Sequence, residues 1–156
     1  MPKQRTAVLV KPDGLQRALI GEIISRFERK GLKLVGMKML NMSDEQLSDW
    51  YSEHKDKSFF EDLKSFMQIK PIVAMVWEGI DVVKVVRGLV GSTLGREAEA
   101  GSIRGDFGMS QQNTIVHASA NEVDAKREIK IVFDDSELYD YESAQDVLIY
   151  AEGELA

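Results

Sequence analysis

Along the chain, the apolar positions switch between a period of two residues and one near 3.6, and the switches mark the elements. The run R5-TAVLV10 is apolar on both faces, the pattern of a strand covered from two sides. K11-PDG14 follows as a turn, with proline at its favoured second position and glycine last. From Ile20 the spacing lengthens: Ile20, Ile23, Ile24 and Phe27 form one stripe of an amphipathic helix. Arg26, Arg29 and Lys30 suit its C-terminal end, and Gly31 its stop. Residues 32–40 predict a second strand. Ser43, with Glu45 and Gln46 behind it, opens a helix to about Tyr51, and Glu61–Met67 carries another that Pro71 ends. I72-VAMVW77 predicts a third strand, again apolar on both faces. D81-VVKVVRGLV90 predicts a helix with Val82, Val85, Val86 and Leu89 on one face. Residues 91–113 are glycine-rich and read as irregular. Thr114–Ser119 predicts a fourth strand, and Asn121 caps a last regular helix over Glu122–Val132. The tail, residues 134–156, is acidic and carries Tyr139, Tyr141 and Tyr150.

Strands separated by helices predict an α/β sandwich. The four strands fit a ferredoxin-like βαββαβ layout, a four-stranded antiparallel sheet with helices packed on it. No internal repeat or Pro/Gly/Ser-rich linker divides the chain, so residues 1–156 read as a single domain that includes the tail.

Composition narrows the function. A 44% hydrophobic content supports a real core. No run reaches 18 apolar residues, so no membrane span is expected, and the apolar start Ala7–Val10 is too short for a signal peptide. Cysteine is absent, which removes disulfides, thiolate nucleophiles and cysteine-based metal sites and fits a cytoplasmic protein. Two histidines make a structural zinc site a poor expectation. The net charge of −6 argues against a nucleic-acid partner, because phosphate contacts dominate that affinity, but leaves room for a local cationic pocket.

His117 raises the sharper question, because it lies in the apolar run T114-IVHASA120. Alternation puts Ile115, His117 and Ser119 on one face and Val116 and Ala118 on the other. In the last helix Glu128 falls on the apolar stripe of Ala125, Ile129 and Val132, where a carboxylate is costly without a partner. His117 is a candidate partner: a carboxylate on one imidazole nitrogen leaves the other as an oriented nucleophile, with Ser119 able to join the network. The pattern is equally compatible with a satisfied core histidine, the commoner case. Lys11 ends a buried strand and points into a crevice or snorkels to solvent. Arg87 stands just off the valine stripe, and Arg104 lies in G101-SIRGDFG108. Together with Lys11 the two could clamp a phosphate, though each alone is a weak signal. D106-FG108 is not a protein-kinase magnesium motif here, since no companion motif accompanies it, and G31-LKLVG36 lacks the lysine of a phosphate-binding loop.

In order, K11-PDGLQR17, I20-GEIISRFERKG31, Y51-SEH54, F59-FEDL63, V73-AMVWEG79, I103-RGDFG108 and H117-AS119 with Glu128 resemble the nucleoside diphosphate kinases over about Thr6–Tyr150. The resemblance implies a ferredoxin-like fold and a ping-pong reaction. A nucleoside triphosphate, typically ATP, phosphorylates His117, and a nucleoside diphosphate then takes the phosphoryl group. Broad base specificity goes with it. By the same resemblance Glu128, Ser119 and Tyr51 attend the histidine; Lys11, Arg87, Thr93 and Arg104 contact phosphate and sugar; Phe59 stacks on the base, with Leu63 beside it. Mg²⁺ is implied through the nucleotide phosphates, with no direct protein ligand. A homo-oligomer is implied too, and the long tail leans it to a hexamer rather than a tetramer. The chain departs from the family where H117-ASA120 replaces H-G-S-D and T93-LG95 replaces T-N-P. Thr114 holds the place of a sugar-contacting asparagine; Asn113, one residue earlier, is the remaining nucleotide-binding candidate, although strand alternation turns it to the other face. These departures motivate one rival, a catalytically weak or silent nucleotide-binding scaffold. A nucleic-acid-binding regulator, which would bind with steep salt dependence, is the other.

Overall fold

Four strands make one antiparallel sheet in the computed structural model, which describes residues 1–155. They are β1 (Gln4–Val10), β2 (Lys33–Leu40), β3 (Ile72–Gly79) and β4 (Val116–Ala118), in the order β2-β3-β1-β4. β1 and β3 are the inner pair, in register from Gln4 opposite Gly79 to Val10 opposite Val73. That position explains their apolar runs, since an inner strand with helices on both faces meets no water; every residue of β3 is buried. The strand order and the helices between them make the ferredoxin-like α/β fold expected from the element order.

The helices divide between the two faces. One face carries Val8, Val10, Met75 and Trp77 against Ile23 and Phe27 of α2 (Ile20–Arg29) and the valines of α5 (Val82–Val90), with α1 (Pro12–Gln16) in the β1–α2 link. Ile23 and Phe27 are fully buried, each contributing about 2 kcal/mol of transfer free energy. The other face carries Ala7, Leu9, Ala74 and Val76 against Leu47 and Trp50 of α3 (Asp44–Trp50), Met67 of α4 (Phe60–Gln68), and Ile129 and Val132 of α7 (Glu122–Val132). Ser43 caps α3 in a capping box with Gln46, and the Asn121 side chain caps α7. Gly31 follows α2 at φ +91, a conformation that favours glycine.

Four expectations need correction. K11-PDG14 is not a free-standing turn: its proline opens α1, where the missing N–H costs nothing. Residues 91–113 are not uniformly irregular, because Ser102 accepts from Gly105 N and starts α6 (Ile103–Phe107). α5 buries Val82, Val83, Val86 and Val90, leaving Val85 and Leu89 half-buried; six apolar residues in nine left the centre of its stripe open. The fourth strand is shorter than expected. Ile115 sits at φ +69, outside the strand, and joins the cluster of Val116 and Ala118 rather than the face of His117.

The tail packs back on the chain that bears it. Tyr139 N donates to Val35 O at 2.8 Å and the Tyr141 hydroxyl to Leu34 O at 2.6 Å. Beyond α8 (Asp146–Ile149) the Tyr150 hydroxyl accepts from Ile80 N at 3.3 Å. Lys33 reaches Glu78 at 2.6 Å and Tyr141 O at 2.7 Å, joining β2, β3 and the tail.

Candidate active site

β4 pairs with β1 so that His117 lies opposite Leu9, on the sheet face that α7 covers. Helical spacing brings Glu128 to that face among Ala125, Ile129 and Val132; it is 4% exposed. His117 Nε2 lies 3.2 Å from each Glu128 oxygen. The Ser119 hydroxyl donates to Glu128 Oε2 at 2.6 Å and in turn accepts from Ala7 N at 3.3 Å. The inward carboxylate is thus satisfied twice, as burial demands. Nε2 is committed to Glu128, which selects the tautomer with its lone pair on Nδ1. Trp50 packs edge-on against the imidazole, ring centres 5.1 Å apart at 68°. The sequence pattern offered no sign of this contact beyond Trp50 sharing an i, i+3 face with Leu47.

His117 opens on a cavity of about 830 Å³, within the range of small-ligand sites. Lys11, Arg87 and Arg104 line it with Tyr51, Phe59, Leu63 and Thr93, so ten of the eleven candidates are His117, its two supports and the cavity wall. Asn113 is the exception: it is exposed, off the cavity wall, with its N–H bonded to Ser110 Oγ at 3.0 Å. Thr114 lines the cavity in its stead, and its hydroxyl accepts from Lys11 Nζ at 3.0 Å. Ala118 and Ala120 line it as well, and the Ala118 methyl packs on the Val8 and Val10 face, away from the side of Leu9.

The cationic wall is held at an energetic cost. Lys11 is buried among protein atoms; burial first, then Arg104, lowers it to about 8, while Asp13 opposes the shift. Arg104 is lowered to about 10, by burial first and then by the Arg87 charge. Its guanidinium donates to Thr114 O (3.2 Å), Gly91 O (3.1 Å) and Val116 O (2.7 Å), tying two segments, the end of α5 and the start of β4, to α6. α6 is itself anchored by Asp106, which accepts from Arg26 at 2.7 Å and Gly101 N at 2.8 Å; the D-F-G tripeptide is a structural anchor. The Tyr51 phenol is pushed up by burial and by Glu128, so it stays protonated. The apolar rim is exposed Phe59 with His54 tilted 5.6 Å away, above Leu63.

The pairing of His117 with Glu128 carries a test. Glu128→Gln keeps the shape but removes the charge paired with the ring. Phosphoryl uptake in rapid-quench experiments should fall by about 10²-fold, the cost of a misplaced reacting group, with the fold intact by circular dichroism.

An oriented imidazole at the mouth of a cationic, aromatic-rimmed cavity on a ferredoxin-like sheet defines a phosphotransferase, since phosphoryl transfer needs positioning and charge neutralisation above all. Comparison with known proteins gives the particular kind. Residues 4–138 match the family model for nucleoside diphosphate kinase. A protein of that name from Haloquadratum walsbyi is 52% identical over 149 residues, covering 94% of both chains. One from Staphylothermus marinus is 50% identical over 141 residues, 90% of this chain and 100% of that protein. The solved structure of a halophilic nucleoside diphosphate kinase from Halobacterium salinarum in complex with CDP matches with a TM-score of 0.93 at 44% identity, covering 96% of this chain and 100% of that one. The chain belongs to the nucleoside diphosphate kinase family.

Proposed function

We propose that the chain exchanges phosphoryl groups between nucleotides by a ping-pong reaction carried on His117. The Nδ1 lone pair attacks the γ-phosphorus of a nucleoside triphosphate, typically ATP. An N–P bond forms, the bridging P–O bond breaks, and the nucleoside diphosphate leaves with the bond's electron pair. A terminal oxygen of a second nucleoside diphosphate then attacks the phosphohistidine, and the imidazole is regenerated. Glu128 offsets the positive charge on the ring in between, and Ser119 holds Glu128. Lys11, Arg87 and Arg104 take the phosphate oxygens, with Thr93 beside them and Tyr51 near the histidine. The observation that carries the reading is the Ser119–Glu128–His117 chain aimed into a cavity with three cations in its wall.

Among the described residues, no cluster of three or more His, Asp or Glu could hold a metal ion. The carboxylate nearest the nucleophile is already committed to His117 and Ser119. Mg²⁺ is proposed to ride on the nucleotide phosphates, where it would neutralise charge. Phe59 offers a flat ring to any base, with Leu63 beside it. Phe59→Ala should raise KM roughly tenfold for purine and pyrimidine nucleotides alike and leave kcat nearly unchanged, as the loss of one stacking contact predicts.

Intact mass after brief mixing with ATP and Mg²⁺, followed by a chase with a second nucleoside diphosphate, tests the carrier. One phosphoryl adduct that the chase removes is expected; nucleotide binding without an adduct would leave only the silent scaffold. That rival is not favoured, because the nucleophile, its carboxylate and the cations are all brought together. No helix among the described residues is long and apolar enough to cross a membrane. A cytoplasmic location is proposed on the resemblance and the lack of cysteine. A homo-oligomer, hexamer before tetramer, is the assembly proposed; exposed Val147 and Leu148 on α8 support a partner there, and sedimentation at working concentration distinguishes the two.

A further inference from the structure

One half-buried carboxylate is left unused by phosphoryl transfer as described. Asp13 lies in the first turn of α1, two residues after Lys11. Its Oδ2 accepts from Ile115 N at 2.8 Å. Its Oδ1 is buried with no hydrogen-bond partner. Asp13 forms no close ion pair among the described residues, so its charge acts over a longer range.

The residue it grips is strained. Ile115 has φ +69, rare for a β-branched side chain, and Val116 N donates back to Thr114 O at 2.7 Å. A bond from i+2 to i around a central residue at positive φ is the strained form of γ-turn. Such backbone persists only where its surroundings over-determine it, and here they do. Lys11 N donates to Ile115 O at 2.8 Å while Asp13 takes Ile115 N, so both backbone polar groups of Ile115 are held by the N-cap and first turn of α1. A Cβ on Gly14 would fall 2.6 Å from Ile115 O, so that helix start presses directly on the turn. Arg104 holds the turn from the other side, through Thr114 O and Val116 O. The turn presents the Thr114 hydroxyl to Lys11 and sets the start of the strand that bears His117.

We propose that Asp13 is a positioning residue: one carboxylate oxygen pins the γ-turn between Thr114 and Val116, and its negative charge serves as the counter-charge to Lys11 and Arg104 while the cavity holds no phosphate. Buried Lys11 and half-buried Arg104 repel each other, and the cost is greatest before an anionic ligand arrives. A fixed carboxylate within range of both offsets part of that cost. The charge is attractive to both: Asp13 raises Lys11 and Arg104 against the burial that lowers them. Around Lys11 stand Arg104 from α6, Asp13 from α1 and the Phe66 ring of α4 at 5.1 Å, with Asp62, Arg87 and His117 in the cavity wall. Asp13 is the one acidic group among these that raises it.

The proposal rests on Lys11 and Arg104 being the phosphate ligands, but its test does not need turnover. Asp13→Asn keeps an oxygen to accept from Ile115 N and removes the charge. In nucleotide-free protein, the Lys11 side-chain resonances followed by heteronuclear NMR should titrate roughly one pH unit lower in this variant than in wild type. Asp13→Glu should restore the wild-type midpoint. The alkaline limb of phosphohistidine formation should move in step, while full adduct still forms at pH 7. An unchanged Lys11 midpoint would overturn the proposal. So would a uniform loss of rate with no shift in pH dependence, and so would an Asn variant that does not fold, because the charge would then be structural. Absence of any adduct in wild type would instead count against the phosphoryl-carrier reading and leave the NMR comparison standing.

Discussion

His117→Ala takes up no phosphoryl group from ATP and Mg²⁺, and its steady-state exchange falls by at least ~10⁴-fold, the scale seen when a covalent nucleophile is removed. No other residue stands to replace it. Among the described residues the cavity wall holds no second imidazole, and cysteine is absent from the chain. His54 adjoins Phe59 at the rim, outside the Glu128 network. Nucleotide still binds, because Lys11, Arg87, Arg104 and Phe59 are untouched, so equilibrium binding of a nucleoside diphosphate should change by only a small factor. Intact mass and titration calorimetry on one preparation separate the two effects. A residual adduct on the variant would place the carrier elsewhere.

Lys11→Met has the second-largest effect, and two readouts move in opposite directions. The rate of phosphohistidine formation should drop by about 10³-fold, as when one donor is taken from a site of developing negative charge. Stability should rise. Lys11 is 6% exposed, and its folded-state value of about 8 lies below the 10.5 of an unfolded lysine. Keeping it protonated in the folded protein therefore costs up to roughly 3 kcal/mol. That cost is present in full below pH 8 and fades as pH rises from 8 towards 10.5, where the unfolded chain binds the extra proton. The variant should melt higher than wild type at pH 7, and the gap should close near pH 10.5. Thermal melts at the two pH values check the sign. In the wild type, kcat/KM should decline above about pH 8 as the free enzyme loses the lysine charge. A variant that melts lower at pH 7 would show that Lys11 holds the fold together rather than straining it for function.

Much of this architecture could be read along the chain. Period and end signals placed α2, α3, α7 and three strands, because in those segments the apolar stripe, the cap and the stop agree: Ser43 with Gln46 opens α3, Asn121 opens α7, and Gly31 follows α2. The pairing of His117 with Glu128 was also legible, since one carboxylate on an otherwise apolar helical stripe needs a partner and one imidazole stood ready. Where signals were short or ambiguous the reading failed. α1 and α6 are five residues each, less than the length at which periodicity speaks. α5 has too many apolar residues to fix its own face.

What the order of residues determined by itself is therefore the kind of fold, the composition of its two cores and the pairing of His117 with Glu128, because these rest on local patterns and on the cost of burying charge. What only the tertiary structure decided is how distant segments meet. Nothing local puts Ile115 at φ +69; Asp13 and Lys11, about a hundred residues earlier, hold it there by two hydrogen bonds. Alternation already turned Asn113 away from Thr114, but the γ-turn decides that the Thr114 hydroxyl meets Lys11. A backbone conformation that costs energy on its own exists only where contacts from elsewhere in the chain outweigh the cost, and those contacts exist only once the chain has folded.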